Sequence, residues 1–310
     1  MTTFKEPMLA ASLLSPEVEC TDETVFAAMR KLHYPVLATL KKDGVRGLRL
    51  NGVLLSRSLK KIPNRFIAER SLCLPGGIDM ELWNKTLTYN EIQSIVMSRE
   101  HPHSEQIQYH IIDWFIPECP SMSYIERMSR VAGLMPELPS EYVKFGPPVV
   151  CQNAEQLFAF EKLVIEEVGE GICFRTANSP YKFGRSTLKE QWLVKLTRWK
   201  YDEAEIIGFN EEMENCNAAG TDARGKTERG HSILNLVGRN TLGAFRVKNA
   251  AGQDFPIGTG VGLTDAYRKE IWDSRDSYLG RVIKFKCKQH GAKVLPRSPV
   301  FCGFRDKLDQ

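Results

Sequence analysis

The sequence predicts an α+β protein in two parts, mixed strand and helix over residues 1–200 and a small β-barrel with one helix over 201–310. Two observations carry this. The first two-thirds show no regular alternation of strand and helix, which excludes a doubly wound parallel sheet. After about residue 200, short strand signals are separated by glycine-containing turns. At 310 residues and 35.2 kDa the chain can bury two ordinary cores.

The elements follow in order. "YPVLATL" (34–40) is a buried strand. "RGLRLNGVLLSRS" is a hairpin, because Asn51-Gly52 suits a tight turn with positive φ at both positions. "GGIDMELW" is a strand entered through a glycine pair, and "QIQYHIIDWF" is a strand of branched and aromatic residues. Thr88 with Glu91, and Ser123 with Glu126, are capping boxes that open helices, the second expected to end at Gly133 and Pro136. Asn153 caps "AEQLFAFEKLVIEEV". "EGICFRT" and "QWLVKLTRW" are further strands.

The last third reads "EAEIIGF", "GAFRVKN", "DFPIGTG", "RVIKFKCK" and "SPVFCGF" as strands, with "TDAYRKEIWDS" as the helix. Five short strands and one helix suggest the oligonucleotide-binding (OB) barrel. The polar segment 215–232 is expected to be a mobile loop.

The bulk chemistry bounds the function. No apolar run approaches the ~20 residues of a membrane span, and "MTTFKEPMLAASLL" lacks the basic and apolar regions of a signal peptide, so the expectation is a cytoplasmic protein. Eight scattered cysteines without a C-x-x-C pair point to free thiols. Residues 201–220 carry six acids and no base. Residues 221–310 carry seventeen basic and nine acidic residues, a net of +8. Residues 281–297 hold six Lys or Arg and no acid, as a polyanion-binding face would. Gly220 to Thr227 formally matches the phosphate loop G-x-x-x-x-G-K-T. That loop needs a buried strand before it and a helix after it, and here the flanks are polar and glycine-broken.

"LKKDGVRG" carries more chemistry. Lys41 ends a strand, and Asp43-Gly44 turns the chain at once. Desolvation by a sheet and nearby cations are expected to lower the pKa of such a lysine and free its lone pair. Gly44 allows close approach of a ligand, and Arg46 offers a planar fork to phosphate or ribose. His101, His103 and His110 have no metal-ligand spacing and are expected at the surface.

K-x-D-G-x-R resembles motif I of the covalent nucleotidyltransferases, the superfamily of ATP-dependent DNA ligases, RNA ligases and capping enzymes. Other motifs follow in the family's order: "SRSLKKIP" with Arg57, "DMELW" with Glu81, "YHIID", "EGICFR", "WLVKL" with Lys195, and "RSPVFCGFRDK". The ordered set is similar to the small bacteriophage-type ATP-dependent DNA ligases across nearly the whole chain. The resemblance implies an antiparallel-sheet adenylation (nucleotidyltransferase) domain over 1–200 and a five-stranded OB-fold barrel over 201–310. It departs at Thr197, where motif V usually has a second lysine, at Thr39, where a Glu is common, and at Ile112, where an aromatic is common. Motif VI often runs R-x-D-K, whereas Arg305, Asp306 and Lys307 are contiguous here.

The resemblance implies ATP and Mg²⁺ as cofactors and nicked double-stranded DNA as partner. Lys41 would carry AMP, with Thr39, Arg46, Arg57, Glu81, Tyr109, Lys195, Arg305 and Lys307 holding the nucleotide. Tyr109 is the expected base stacker. Glu170 and Glu81 would hold the metal. Lys60, Arg185, Arg224, Lys226, Lys284, Lys286 and Lys288 are the expected DNA contacts, made by a monomer acting as a clamp without reading bases. Tyr181 and Phe183 are expected in a packed loop, with contact to DNA as the alternative. Rival functions are an RNA ligase, a GTP-using capping enzyme and a non-catalytic nucleic-acid-binding protein.

Overall fold

The computed structural model describes residues 3–167, 170–222, 227–258, 260, 262–288 and 295–305. Two compact units emerge: Met1–Ser15 with Cys20–Thr197, and Pro16–Glu19 with Arg198–Gln310.

In the first unit the chain runs β1 (Met8–Leu9), β2 (Ala11–Ser12), α1 (Asp22–Met29), β3 (Val36–Leu40), β4 (Val45–Leu50), β5 (Val53–Ser56), α2 (Arg65–Arg70), β6 (Ile78–Trp83) and α3 (Tyr89–Met97). It continues through β7 (Gln108–Trp114), α4 (Tyr124–Leu134), β8 (Val143–Phe145), β9 (Val149–Cys151), α5 (Ala154–Glu167), β10 (Gly171–Thr176), β11 (Gly184–Arg185) and β12 (Val194–Thr197).

Two five-stranded sheets result, ordered β2-β12-β10-β3-β9 and β5-β4-β6-β7-β8. Each is antiparallel except at one edge, where β2 lies parallel to β12 and β8 parallel to β7. Helices cover one face of each. Val25, Met29, Leu157 and Val164 of α1 and α5 pack on Val36, Ala38, Ile172, Phe174 and Val194 of the first sheet. Ile67, Ile92, Ile95, Met128 and Val131 of α2 to α4 pack on Met80, Leu82, Tyr109 and Ile111 of the second. The period of two along each strand then sends the intervening polar residues to the other face.

The local signals were legible. Thr88 with Glu91, and Ser123 with Glu126, form reciprocal capping boxes, and Asn153 Oδ1 accepts from the Gln156 amide at 2.9 Å. Asn51 and Gly52 take φ values of 47° and 80° and join β4 to β5. α4 runs one residue past Gly133, and Pro136 then tightens the chain into a 3₁₀ turn at Met135–Glu137.

The second unit holds β13 (Trp199–Asn215), β14 (Ala219–Thr221), β15 (Thr227–Arg229), β16 (Leu236–Asn249), β17 (Asp254–Ile257), α6 (Asp265–Asp273), β18 (Val282–Lys288) and β19 (Arg297–Phe304). Five strands form one antiparallel sheet in the order β17-β16-β13-β18-β19. A bridge between Gly260 and Phe301 brings its ends together as a barrel. A Cβ at Gly260 would lie 2.2 Å from the Phe301 carbonyl oxygen, so this closure requires glycine. Phe245, Phe255, Phe285, Phe301, Ile257 and Ile283 fill the interior.

The segment 215–232 is not the single open loop its polar composition suggests. β14 pairs with β15, and Asn217 ties Asn215, Ser232 and Asn235 together at 2.7–2.9 Å. Gly220 lies inside β14 and Thr227 opens β15, so among the described residues a strand stands where a phosphate loop requires a helix.

Candidate active site

Lys41 follows β3 directly, and its amide donates to the Gly171 carbonyl at 2.9 Å, holding it beside β10. The turn into β4 is crowded. A Cβ on Gly44 would stand 2.3 Å from the Leu82 carbonyl oxygen, and the Gly44 amide donates to Glu81 Oε1 at 3.1 Å. The lysine side chain is 24% exposed, and its ammonium pairs with the buried carboxylate of Glu170, 5% exposed. Burial pulls the Lys41 pKa down, but the Glu170 carboxylate outweighs it and leaves the ammonium above its ordinary value. The expectation of a lowered pKa is therefore corrected: an adjacent carboxylate, not neighbouring cations, dominates the lysine's surroundings.

Strand register builds two rows. Thr39, Cys173 and Lys195 stand side by side across β3, β10 and β12. Arg46, Glu81 and His110 stand side by side across β4, β6 and β7. The rows meet electrostatically. Burial raises the Glu81 carboxyl to about 7, against the opposing pull of Lys41 and Arg46. Asp79, two residues before Glu81, takes Arg46 in a fork, with Nε to Oδ1 at 2.8 Å and Nη2 to Oδ2.

Below them Asp113 receives both Arg127, at 2.7 Å from Nε, and Arg175. Burial opposes the charge on Asp113, yet the two guanidinium groups hold its pKa down to about 2. The motif residues Asp113 and Arg175 thus form a buried ionic support that links the two sheets.

Residues 237–305 match the family described as the DNA ligase OB-like domain. A curated DNA ligase of Haemophilus influenzae is 26% identical over 227 residues, 73% of this chain and 72% of that protein. The crystal structure of Chlorella virus DNA ligase-adenylate is 28% identical with a TM-score of 0.53, covering 98% of this chain and 100% of that one. Over most of its length the chain is thus similar to DNA ligases. A Lig E DNA ligase structure at 19% identity and a TM-score of 0.68 shares the fold over 98% of this chain.

The structure relocates several of the expected site residues. Tyr109 is 1% exposed, donates its hydroxyl to the Ile67 carbonyl at 2.6 Å and packs in the second sheet's core. It is a core tyrosine, not a base stacker, because the strand's alternation turns it toward the helices. His110 takes the opposite face and is half-buried, rather than simply at the surface as expected. Burial first, and then Lys42 and Lys144, push its pKa down to about 3, and its ring lies 5.1 Å from that of Trp83. Arg46 is already gripped by Asp79 through Nε and Nη2, so only part of its fork is left to face a ligand. Arg57 stands exposed just past Ser56, whose register partner Gly47 follows Arg46.

Lys60 is exposed, and Arg185 donates to the Ala10 carbonyl at 2.6 Å. In the second unit Arg305 pairs with Glu203 at 2.6 Å. Lys286 is 3% exposed, with its ammonium on the Pro16 carbonyl and 5.5 Å from the Trp199 ring centroid. It anchors residues 16–19 and is not an open phosphate contact. Lys284 reaches Glu19 at 3.7 Å, while Lys288 is partly exposed at the strand's end. Arg224, Lys226 and Lys307 lie outside the described residues. Asp79 was missed, although its spacing of two from Glu81 in a strand places both on one face. Cys173 was passed over inside "EGICFR", and nothing in the sequence linked Tyr181 to Asp79.

Proposed function

We propose that this ligase seals nicks in double-stranded DNA by way of AMP carried on Lys41. The observation that carries it is Lys41 at a strand end, its ammonium against the buried Glu170 carboxylate, with Glu81, Arg46 and Lys195 on the facing rows. The lysine must first shed a proton, and Glu170, already in contact, is the nearest acceptor. The neutral amine attacks the α-phosphorus of ATP, a P–N bond forms and pyrophosphate leaves. An oxygen of the nick's 5′-phosphate then attacks that phosphorus, breaking the P–N bond. Finally the 3′-hydroxyl gives up its proton to solvent and attacks the DNA phosphate so activated, and AMP leaves with the electron pair of the broken P–O bond.

Each step spreads negative charge over phosphoryl oxygens, so positioned cations do most of the work. Lys195 is assigned to the α-phosphate, Arg46 and Arg57 to ribose and phosphates, and Arg305 and Lys307 to the leaving pyrophosphate. Thr39, at the far end of its row, is assigned to the base. Among the described residues no cluster of three or more metal-ligating side chains occurs. Two carboxylates, Glu170 and Glu81, suit Mg²⁺, which keeps few protein ligands and binds mainly through substrate phosphates. Bound there, Mg²⁺ would neutralise phosphate charge.

Lys60, Lys288, Arg185, Arg224 and Lys226 are assigned to sequence-independent contacts with the duplex by a monomeric clamp. No helix among the described residues is long and apolar enough to cross a membrane, and all eight cysteines are free, which suits a reducing cytoplasm.

The test is labelling with α-³²P ATP or GTP. An acid-labile adduct from ATP, lost in Lys41→Ala and kept in Lys226→Ala, is expected, and a nicked-duplex chase should discharge it. Label from GTP alone would indicate a capping-type enzyme. No adduct at all would sink covalent catalysis.

A further inference from the structure

A buried polar relay that begins outside the expected motifs, at Tyr181, ends on Arg46. Tyr181 donates its hydroxyl to Asp79 Oδ2 at 2.8 Å. The same carboxylate, 0% exposed, accepts Arg46 Nε and Nη2. On the other side Arg46 Nη1 donates to the Met8 carbonyl at 2.6 Å. Of the five N–H groups of a guanidinium, three are thereby committed and two remain for a ligand. We propose that Tyr181 is a positioning residue for adenylyl transfer, which rests on the Lys41 chemistry proposed above. It sets the plane of the Asp79 carboxylate, and through it the direction in which Arg46 presents its remaining N–H groups to the nucleotide.

Packing holds the relay in place. The Tyr181 ring sits among Phe4, Phe115 and Phe183, with centroids 6.1, 5.5 and 6.3 Å away. A phenylalanine would fill this apolar cluster equally well, and a buried hydroxyl there is costly unless matched. Its match is the one carboxylate that grips Arg46. β1 and β11 pair through Met8 and Gly184, so the segments supplying the Met8 carbonyl and the Tyr181 hydroxyl are zipped together. Arg46 is thus held from two sides by chain segments remote in sequence. Its row partner is Glu81, which shares the field of Lys41.

Tyr181→Phe keeps the ring and removes only the donor. The rate constant of Lys41 adenylation is measured in single turnovers with the full-length protein, in wild-type and Arg46→Ala backgrounds. A loss of about tenfold is expected in the first background and under about twofold in the second, because the hydroxyl acts through the arginine. The same cycle is read from ATP affinity, so an Arg46→Ala protein too slow to label still reports. An unchanged rate in Tyr181→Phe, or an equal loss in both backgrounds, overturns the positioning role alone. A wild-type protein that forms no adduct with ATP overturns Lys41 chemistry and the positioning role together.

Discussion

Lys41 and Glu81 both keep their protons longer than free side chains do, and for different reasons. A paired carboxylate stabilises the charged amine, whereas burial penalises the charged acid. The second effect has a consequence for stability. The folded Glu81 carboxyl holds its proton to about pH 7, while the unfolded one loses it near 4.5. Between these values the folded chain binds more protons, so this contribution is full below about 4.5 and is lost as pH rises through about 7. Glu81→Gln should therefore gain on wild type by on the order of 2 kcal/mol between pH 4.5 and pH 8, measured by urea unfolding. Parallel stability profiles would refute the perturbed carboxyl. Lys41 itself was legible from its short motif. Its pKa was not, because Glu170 lies 129 residues away and reaches it only through the pairing of β3 with β10.

Elements place these side chains through register. β3, β10 and β12 align Thr39, Cys173 and Lys195, and β4, β6 and β7 align Arg46, Glu81 and His110. Period-two alternation tells which residues share a face along one strand, but not which strand lies beside it. That is why Glu81 and Lys195 were found while the partnership of Arg46 with Asp79 was not. The crowded turn at Gly44 makes a sharp test. Gly44→Ala would push a methyl against the Leu82 carbonyl and Glu81 Cγ, 2.3 and 3.0 Å away. It should cost about 1–3 kcal/mol of stability and slow adenylation more than tenfold. Ser123→Ala, which removes a helix cap elsewhere in the unit, should cost about 1 kcal/mol and leave adenylation intact. Similar adenylation rates in the two variants would show that the turn does not position the site.

At the scale of the whole molecule, charge divides into what faces solvent and what is consumed internally. The run 281–297 looked like one basic face, and alternation does set Lys284, Lys286 and Lys288 on one side of β18, but burial separates them, with only Lys286 fully buried. Lys286 is spent on the Pro16 carbonyl, whereas Lys60 is exposed. Phosphate contacts release counterions, so each one lost should reduce the slope of log K against log salt by about 0.9. Lys60→Ala should show that reduction for nicked duplex, and Lys286→Met should leave the slope unchanged. A slope change with Lys286→Met and none with Lys60→Ala would reverse the assignment.

The sequence by itself determined the α+β class, the hairpin at Asn51-Gly52, the capping boxes and the ordered motifs that contain Lys41, Glu81, Glu170 and Lys195. Each of these depends on residues within a few positions of one another, where dihedral preference, capping and strand alternation act. Only the tertiary structure decided that Tyr109 belongs to the core, that His110 takes the site-facing side, that Lys286 is buried and that Tyr181 reaches Arg46 through Asp79. Those facts turn on which strands become neighbours and which faces the helices cover. Such choices are settled by packing between segments tens to hundreds of residues apart, and no local preference encodes them.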